Sequence, residues 1–308
     1  MTPDEFTNQE FFLDVGNGHR LYVHDWGNPK AKVPILLLHG GPGDGTKDGA
    51  KILFNSSEQR VIFFDQRGAG RSLPYGSREH NTTPKLISDI EKIRNHLGVS
   101  EIILAGGSWG SMLALCYAIA HPKQVKGMVI SGIWTGTQDE SAFIDEGQVN
   151  LFFPEVWQRY LERTPAKYRS KPTAYHFKKA LHGTAAQQKA SSFAYQSLVY
   201  GSLQLNYYPS FINNYAEYEP SGFQIAIHYL ADQCFLPDNY IQKNIDKLTM
   251  PVWMVQGRYD MICPPITAYR LNEKLPNSRL MMAVAGHRSE HETWNLMRTL
   301  LLQMATPR

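Results

Sequence analysis

Cysteine is scarce in this chain of 308 residues, which has only Cys116, Cys234 and Cys263, widely spaced. No C-x-x-C pair occurs, so the spacing does not match the cysteine ligand sets of structural zinc sites. Three isolated cysteines also cannot form the dense disulfide framework of a small secreted domain. We therefore expect reduced thiols and a cytoplasmic protein.

Long apolar runs and concentrated charge are lacking as well. No apolar run approaches the roughly 20 residues needed to span a bilayer. The first residues, Met-Thr-Pro-Asp-Glu, lack the basic and apolar blocks of a signal peptide. The formal net charge is only +3, without a run of lysine or arginine. We therefore expect neither a membrane nor a nucleic acid as a partner.

Short apolar runs alternate with amphipathic segments along most of the chain. They predict strands at 33–38, 61–64, 102–105, 128–130, 252–255 and 279–284. Ahead of these runs, two further strands flank the turn signal Gly16-Asn17-Gly18 and predict a hairpin. The alternation of strands and helices indicates an α/β fold with a mostly parallel central sheet flanked by helices.

One long segment interrupts this alternation. From Trp134 to about Lys247 no buried-strand run occurs, and tyrosine, phenylalanine, glutamine and lysine recur at helical spacing between prolines. We interpret residues 134–247 as a helical insertion and not as an independent domain. The α/β core is then formed by residues 1–133 together with residues 248–308.

The run at 102–105 leads into Gly106-Gly107-Ser108-Trp109-Gly110, and a helix-forming segment follows. This is the G-x-S-x-G pattern in the strand–turn–helix context of a serine nucleophile. The turn is so tight that side chains at Gly106 and Gly110 would collide with neighbouring chain. It would hold the Ser108 hydroxyl at the top of the sheet, with the Trp109 N–H directed at the group under attack. Taken alone, the pattern also fits an ordinary glycine-rich turn.

A second glycine-rich loop, His39-Gly40-Gly41-Pro42-Gly43, follows the strand at 33–38. Small and rigid residues let the backbone approach a ligand closely and aim N–H groups at it. We predict that the N–H groups of Gly41 and Trp109 bind a developing oxyanion. A phosphate cradle is the competing interpretation, but neither Gly-Lys-Ser/Thr nor G-x-G-x-x-G follows. We interpret His39 as a loop-packing residue.

Asp65 and Arg67 lie among glycines just after the strand at 61–64. Charged residues at such a place usually hold neighbouring loops by hydrogen bonds, because a buried charge needs a partner. We interpret both side chains as structural supports of the glycine-rich loop after the strand at 33–38.

Ser108, Asp260 and His287 each follow a predicted strand, in that chain order. The carboxyl ends of parallel strands lie along one edge of a sheet, so these loops should meet there. His287 can take the proton of Ser108 near neutral pH, and Asp260 would fix its tautomer and stabilise the imidazolium. Singly, Asp260 could cap a helix and His287 could be a surface residue. Jointly, they predict a Ser-His-Asp triad.

At this point the chain resembles the proline iminopeptidase (prolyl aminopeptidase) family of α/β-hydrolases over nearly its whole length. The motifs that carry the resemblance are His39–Gly43, Asp65–Ser72, Gly106–Ser111, Gly257–Asp260 with Cys263-Pro264, and Gly286-His287. The resemblance implies an α/β-hydrolase fold whose helical cap, here 134–247, closes the site. It also implies a serine peptidase that releases an N-terminal residue, preferably proline, from peptides.

Members of this family grip the free amine of the substrate with glutamates of the cap. The resemblance assigns one such role to Glu219, in the segment Asn214–Pro220, and Glu217 is a neighbouring candidate. The second family glutamate falls on Ala226, so that carboxylate is missing, and Glu217, Glu146 and Asp232 are the candidates to compensate from another direction. Loss of one of two partners of a buried ammonium costs a few kcal/mol, or about a hundredfold in binding.

Several alternatives stay open or are disfavoured. A carboxylesterase or amidase with the same triad and an altered cap pocket is the second candidate, and its substrate would be a small amide or ester. The serine at the elbow excludes the carboxylate nucleophile of dehalogenases and epoxide hydrolases. No H-E-x-x-H or comparable ligand set occurs, so we expect no metal and no cofactor. A binding protein that reuses the fold is disfavoured by the triad and both oxyanion loops.

Overall fold

The computed structural model describes residues 6–205, 215–288 and 291–306. Its strands are β1 (Thr7–Gly16), β2 (His19–Gly27), β3 (Ile35–Leu38), β4 (Arg60–Phe64), β5 (Ile102–Gly107), β6 (Val125–Ser131), β7 (Val252–Gly257) and β8 (Ser278–Ala283). They form one eight-stranded sheet in the order β1-β2-β4-β3-β5-β6-β7-β8. β2 is antiparallel to β1 and β4, and all other pairs are parallel. The predicted mostly parallel sheet is confirmed.

The strand sequences explain which strands lie inside the sheet. All four residues of β3 are buried, as an apolar strand covered on both faces requires. In β1, by contrast, polar side chains point to solvent along an edge strand. β1 and β2 form the predicted hairpin, and its turn residues Gly16, Asn17 and Gly18 all have positive φ angles.

Helices cover the sheet and fill the segment between β6 and β7. In chain order they are α1 (Thr83–His96), α2 (Trp109–Ala120), α3 (Gln138–Asp145), α4 (Pro154–Glu162), α5 (Pro172–His182), α6 (Ala185–Gly201), α7 (Ser221–Ala231), α8 (Tyr240–Lys243), α9 (Pro265–Lys274) and α10 (His291–Ala305). Within the described ranges, none of the helices combines the length and the apolar character that crossing a bilayer requires.

Two apolar cores lie on opposite faces of the sheet. Leu36 and Leu38 of β3 belong to the core that α1, α2 and α9 cover, whereas Ile35 and Leu37 belong to the core that α10 covers. Successive residues of a strand point to opposite faces, so a continuous apolar run serves both cores. All three cysteines are buried, and none of them forms a disulfide bond.

The described residues between β6 and β7 contain helices and no strand, and α4 to α6 share a small core of their own. Its buried members include Val156, Tyr160 and Leu198. Other residues of the segment, Ile225 of α7 and Ile241 of α8, belong to the main core instead. Residues 134–247, which we call the cap, therefore pack against the main core through the second half of the cap, which contains α7 and α8. The exact division of the chain at 134 and 247 stays a prediction.

Candidate active site

Ser108 lies between β5 and α2 in a strained backbone conformation, with φ 56° and ψ −125°. A non-glycine residue adopts a positive φ only where its surroundings enforce it. Here the Ser108 N–H donates to the Ser131 carbonyl of β6 at 3.0 Å, and the Ser108 carbonyl accepts from the Ser111 N–H at 2.8 Å. These bonds fix the turn from both sides and hold the hydroxyl above the end of the sheet.

The two motif glycines around Ser108 have no room for side chains. A Cβ atom on Gly106 would lie 2.6 Å from the Gly110 carbonyl oxygen. A Cβ atom on Gly110 would collide with the Leu38 carbonyl oxygen at the end of β3. The steric reason that the sequence analysis gives for these glycines is therefore present in the structure.

His287 joins Ser108 to Asp260 at the carboxyl edge of the sheet. Its Nε2 lies 2.9 Å from the Ser108 Oγ, and its Nδ1 lies 2.9 Å from Oδ2 and 3.0 Å from Oδ1 of Asp260. Asp260 is 1% exposed, whereas His287 and Ser108 border a cavity. A carboxylate at Nδ1 keeps the proton on that nitrogen, so Nε2 is left to accept the serine proton.

The Asp260 carboxylate is held by donors from its own loop and from β7. Its Oδ1 accepts the N–H groups of Ile262 at 2.9 Å and Cys263 at 2.7 Å. Its Oδ2 accepts the side-chain amide of Gln256 at 3.2 Å. Gln256 is fully buried, and its Oε1 accepts the Ile133 N–H at 2.8 Å. No motif or periodicity in the sequence points to Gln256, although it is the penultimate residue of the strand before Asp260.

Trp109 and Gly41 supply backbone N–H groups on either side of the serine. Trp109 is the first residue of α2, and N–H groups in a first helical turn have no partner within the helix. The helix dipole adds partial positive charge at this end. Gly41 lines the same cavity as Ser108, and its φ of +112° is accessible to glycine. These positions are compatible with the predicted pair of oxyanion donors.

Gln66 connects the two oxyanion loops. Its Oε1 accepts the Trp109 indole N–H at 2.8 Å, and its Nε2 donates to the His39 carbonyl at 3.0 Å. Its backbone N–H donates to His39 Nε2 at 3.0 Å, while His39 Nδ1 lies 2.9 Å from the Gly40 carbonyl. Both ring nitrogens are thus occupied, and burial lowers the pKa of His39. His39 packs the loop, as predicted, and it is not a base for Ser108.

Asp65 and Arg67 support different parts of the fold. The Asp65 Oδ1 accepts the Thr46 N–H at 2.6 Å, which anchors the end of the loop that begins at His39. Arg67 instead forms a buried bidentate pair with Asp89 of α1, at 2.6 and 2.8 Å. The prediction of a loop support is therefore confirmed for Asp65 and wrong for Arg67, whose long side chain reaches past the loop to α1.

A cavity of about 290 Å³ opens above Ser108 and His287. Its apolar walls come from the cap helices and the loop after Asp260, through Val199, Leu203, Phe223 and Ile262. Asp44, Lys47 and Arg288 bring charged groups to the same cavity. A larger groove of about 630 Å³ between α3 and α9 has neither Ser108 nor His287 in its walls. Of these two cavities, the smaller one is thus the one that Ser108 and His287 border.

Comparisons with known proteins agree with this architecture. A family model described as the alpha/beta hydrolase fold matches residues 33–289. The proline iminopeptidase of Neisseria gonorrhoeae is 36% identical over 282 residues, covering 90% of this chain and 89% of that protein. The probable proline iminopeptidase of Leptolyngbya boryana is 34% identical, covering 91% and 88%. The Arabidopsis thaliana proline iminopeptidase is also 34% identical, covering 89% and 74%.

The chain belongs to the proline iminopeptidase family. It is therefore an α/β hydrolase, and the resemblance seen in its motifs is confirmed. Among solved structures, the crystal structure of the Mycobacterium smegmatis proline iminopeptidase superposes with a TM-score of 0.62 at 16% identity, covering 96% of this chain and 99% of that one. An esterase of Exiguobacterium antarcticum reaches 0.66 at 17% identity, covering 97% and 100%. These two likenesses bear on the fold alone.

The cap carboxylates proposed from the family resemblance lie outside the cavity walls. Glu219 is exposed just ahead of α7, and its Oε1 accepts the N–H and the hydroxyl of Ser221 at 2.9 and 2.6 Å. Glu217 is exposed as well. Ala226, in place of a family glutamate, is buried in α7. Glu219 thus contacts the first residue of α7, and neither glutamate is among the described residues that line the cavity above Ser108.

Asp260, Cys263 and His287 also place three potential metal-ligand atoms within 4.8 Å of one another. A thiol binds metal as the thiolate, but burial raises the pKa of Cys263 well above its usual range. The Asp260 and His287 atoms are already hydrogen-bonded to each other. This donor set does not fit a metal, and it fits a proton relay.

Proposed function

We propose that this hydrolase is a serine peptidase that releases N-terminal proline, or another small residue, from small peptides through an acyl-enzyme. The observation that carries the proposal is the hydrogen-bonded chain from Ser108 through His287 to Asp260, with both contacts at 2.9 Å. The substrate class is supported by membership of the proline iminopeptidase family.

In the acylation step, His287 Nε2 takes the Ser108 proton as Oγ attacks the carbonyl carbon of the first residue. The charge that develops on the carbonyl oxygen is stabilised by the N–H groups of Trp109 and Gly41. Asp260 stabilises the imidazolium that forms. The imidazolium then gives its proton to the leaving amine, the C–N bond breaks, and the acyl group stays on Ser108.

Deacylation repeats these steps with water. His287 takes a proton from the water as its oxygen attacks the ester carbon, and returns it to Ser108 Oγ when the C–O bond breaks. The free amino acid leaves through the cavity. The buried carboxylate of Asp260 serves both halves of the cycle, because each half passes through the imidazolium.

The shape of the cavity is compatible with a small apolar first residue. Val199, Leu203, Phe223 and Ile262 line it, and their apolar surfaces suit a pyrrolidine ring or a short aliphatic side chain. The half-buried aromatic ring of Phe223 offers a flat wall for such a ring.

A carboxylesterase or amidase is the second candidate. It is favoured by one observation, the position of Glu219 and Glu217 outside the cavity and the alanine at 226. Without a carboxylate at the substrate amine, neutral amides or esters would bind as well as free N-termini.

Hydrolysis of aminoacyl-naphthylamides beside p-nitrophenyl acetate and butyrate separates the two candidates. The peptidase proposal expects a preference for proline-naphthylamide over its N-acetylated analogue. Ser108→Ala should lose all of this turnover, and a fluorophosphonate should label the wild type alone. Ester turnover without aminoacyl-amide turnover would identify the esterase, whereas equal activity of Ser108→Ala would contradict both candidates.

A further inference from the structure

Asp44 is the sole acidic side chain among the described residues that line the cavity above Ser108. It lies on the glycine-rich loop after β3, which also carries Gly40 and the predicted oxyanion donor Gly41. The loop therefore brings a negative charge to the side of the cavity where the carbonyl group of a substrate would bind.

The distance between Asp44 and Ser108 follows from their common neighbour Gly40. A Cβ atom built on Gly40 would lie 3.7 Å from the Ser108 Cβ and 3.9 Å from the Asp44 Oδ2. The distance from the Asp44 Oδ2 to the Ser108 Cβ therefore cannot exceed the sum of these two distances.

This span matches an amino-acid substrate. The α-nitrogen of an aminoacyl group is two bonds from the carbonyl carbon, or about 2.5 Å away. A nucleophile attacks from about 3 Å, and a charge-assisted hydrogen bond adds about 2.8 Å. One aminoacyl unit can thus reach from Ser108 Oγ to the Asp44 carboxylate.

The backbone on both sides of Asp44 is held in place by contacts with the cap and with Asp65. On one side, a Cβ atom on Gly43 would collide with the Gly222 carbonyl of α7, so loop and cap are in close contact there. On the other side, Thr46 is anchored by its N–H donating to Asp65 Oδ1 at 2.6 Å. Between these two anchors the backbone has little freedom, so less backbone entropy is lost when a ligand binds here.

The Asp44 carboxylate has no ion pair within 4 Å in the part of the chain that the structure describes. Its charge acts on the cavity wall: burial and, after it, the negative charge of Asp44 raise the pKa of Tyr200, against the opposing positive charge of Arg288. A carboxylate next to a partly apolar cavity wall favours a cationic ligand group.

We propose that Asp44 binds the free α-ammonium group of the substrate, the role for which the cap glutamates of the family resemblance are not placed. The inference rests on the proposed function, since it presupposes an aminoacyl substrate. Asp44 then sets the exopeptidase specificity from the core loop, because an acylated N-terminus offers no cation and no room for the carboxylate to approach.

The experiment compares Asp44→Asn with wild type on proline-naphthylamide, N-acetylproline-naphthylamide and p-nitrophenyl butyrate. We expect kcat/KM for the free amine to fall about 10- to 100-fold, mainly through KM, because a hydrogen bond to a charged group is lost. The turnover of p-nitrophenyl butyrate should change less than about twofold, because this ester has no ammonium group for Asp44 to bind. Asp44→Glu should restore part of the free-amine activity.

Asp48→Asn is the matched control. It removes the same charge four residues further along, from an exposed side chain that pairs with Lys51 at 3.2 Å and does not line the cavity. If Asp44→Asn keeps the wild-type preference for the free amine, or behaves as Asp48→Asn does, the inference is overturned and the proposed function stands. A wild type that turns over both naphthylamides equally overturns the inference and the proposed function together.

Discussion

The side-chain amide of Gln66 accepts the indole N–H of Trp109 at 2.8 Å and thereby joins the two loops that carry the predicted oxyanion donors. The same amide donates to the His39 carbonyl at 3.0 Å. The N–H groups of Trp109 and Gly41 belong to separate elements, α2 and the loop after β3. Their spacing therefore depends on contacts between these two elements, and we predict that Gln66 is a positioning residue.

Gln66→Leu should lower kcat about 10- to 100-fold with a small change in KM, since oxyanion donors act mainly on the transition state. The leucine fills the space but leaves the Trp109 indole and the His39 carbonyl without their partner. Steady-state kinetics on the best substrate of the panel measures both constants.

Gln59→Leu is the matched control for this prediction. Gln59 is a buried glutamine just ahead of β4, at the opposite end of that strand from Gln66, and its amide donates to the Leu301 carbonyl at 3.1 Å. Both variants should lose about 1–3 kcal/mol of stability, because each leaves buried polar groups unpaired. Only Gln66→Leu should lose kcat, and an equal loss in both variants would mean that Gln66 has a purely structural role.

Gln256→Glu tests the support of Asp260. The amide of Gln256 donates to Asp260 Oδ2 at 3.2 Å, and a carboxylate at that place would face another carboxylate. Two buried carboxylates so close cannot both stay ionised, so the pair binds a proton at neutral pH. We expect kcat/KM at pH 7 to fall at least about tenfold and its acid limb to move to higher pH. An unchanged pH profile would show that Gln256 does not affect the ionisation of Asp260.

The elements of the core are largely predictable from the sequence because apolar periodicity reports burial directly. The apolar stripe Leu86, Ile87, Ile90, Ile93 and Leu97 predicts the inner face of α1. In the structure Leu86, Ile90 and Ile93 are buried, and Ile87 and Leu97 are half-buried. Proximity of Ser108, Asp260 and His287 follows from one topological rule, that parallel strands end at the same edge.

The sequence does not predict the roles of Gln66, Gln256 and Asp44, because these roles depend on contacts between loops that are far apart in the chain. A glutamine carries no periodic or charge signal, and its partners lie 43 residues away in one case. The cap is the hardest part for the same reason. The assignment of Glu219 to the substrate amine stays a prediction, because motif matches do not fix where a cap side chain lies relative to the cavity.

Gly110→Ala should disrupt the nucleophile turn. The added methyl group would collide with the Leu38 carbonyl of β3, which is backbone and cannot move aside as a flexible side chain could. We expect a loss of stability of at least about 2 kcal/mol and a large loss of activity, since Ser108 is displaced with the turn. Gly49→Ala is the control, because nothing lies within 4 Å of its Cβ position. Thermal unfolding of both variants measures the difference, and equal melting temperatures would contradict the steric argument.

Asp145, at the end of α3, should make the stability of the cap depend on pH. Burial raises the pKa of Asp145 to about 7, against the hydrogen bond from the Tyr195 hydroxyl at 3.2 Å. The folded state therefore keeps a proton that the unfolded chain, with an ordinary aspartate pKa near 3.9, has already lost. The contribution of this carboxyl is full below pH 4 and declines as the pH rises towards 7. Above pH 7, ionisation of the buried Asp145 carboxyl lowers the free energy of unfolding by up to about 4 kcal/mol.

Asp145→Asn removes this cost, because the amide is neutral at every pH and its oxygen can still accept from Tyr195. Urea denaturation at pH 5 and pH 8 should therefore show the variant more stable than wild type at pH 8, with a smaller gain at pH 5. Asp238→Asn, at an exposed aspartate of the cap, is the control and should follow the wild type at both pH values. A gain of equal size at pH 5 and pH 8 would show that Asp145 is not protonated in the folded protein near neutral pH, since the cost of its ionisation would then be the same at both.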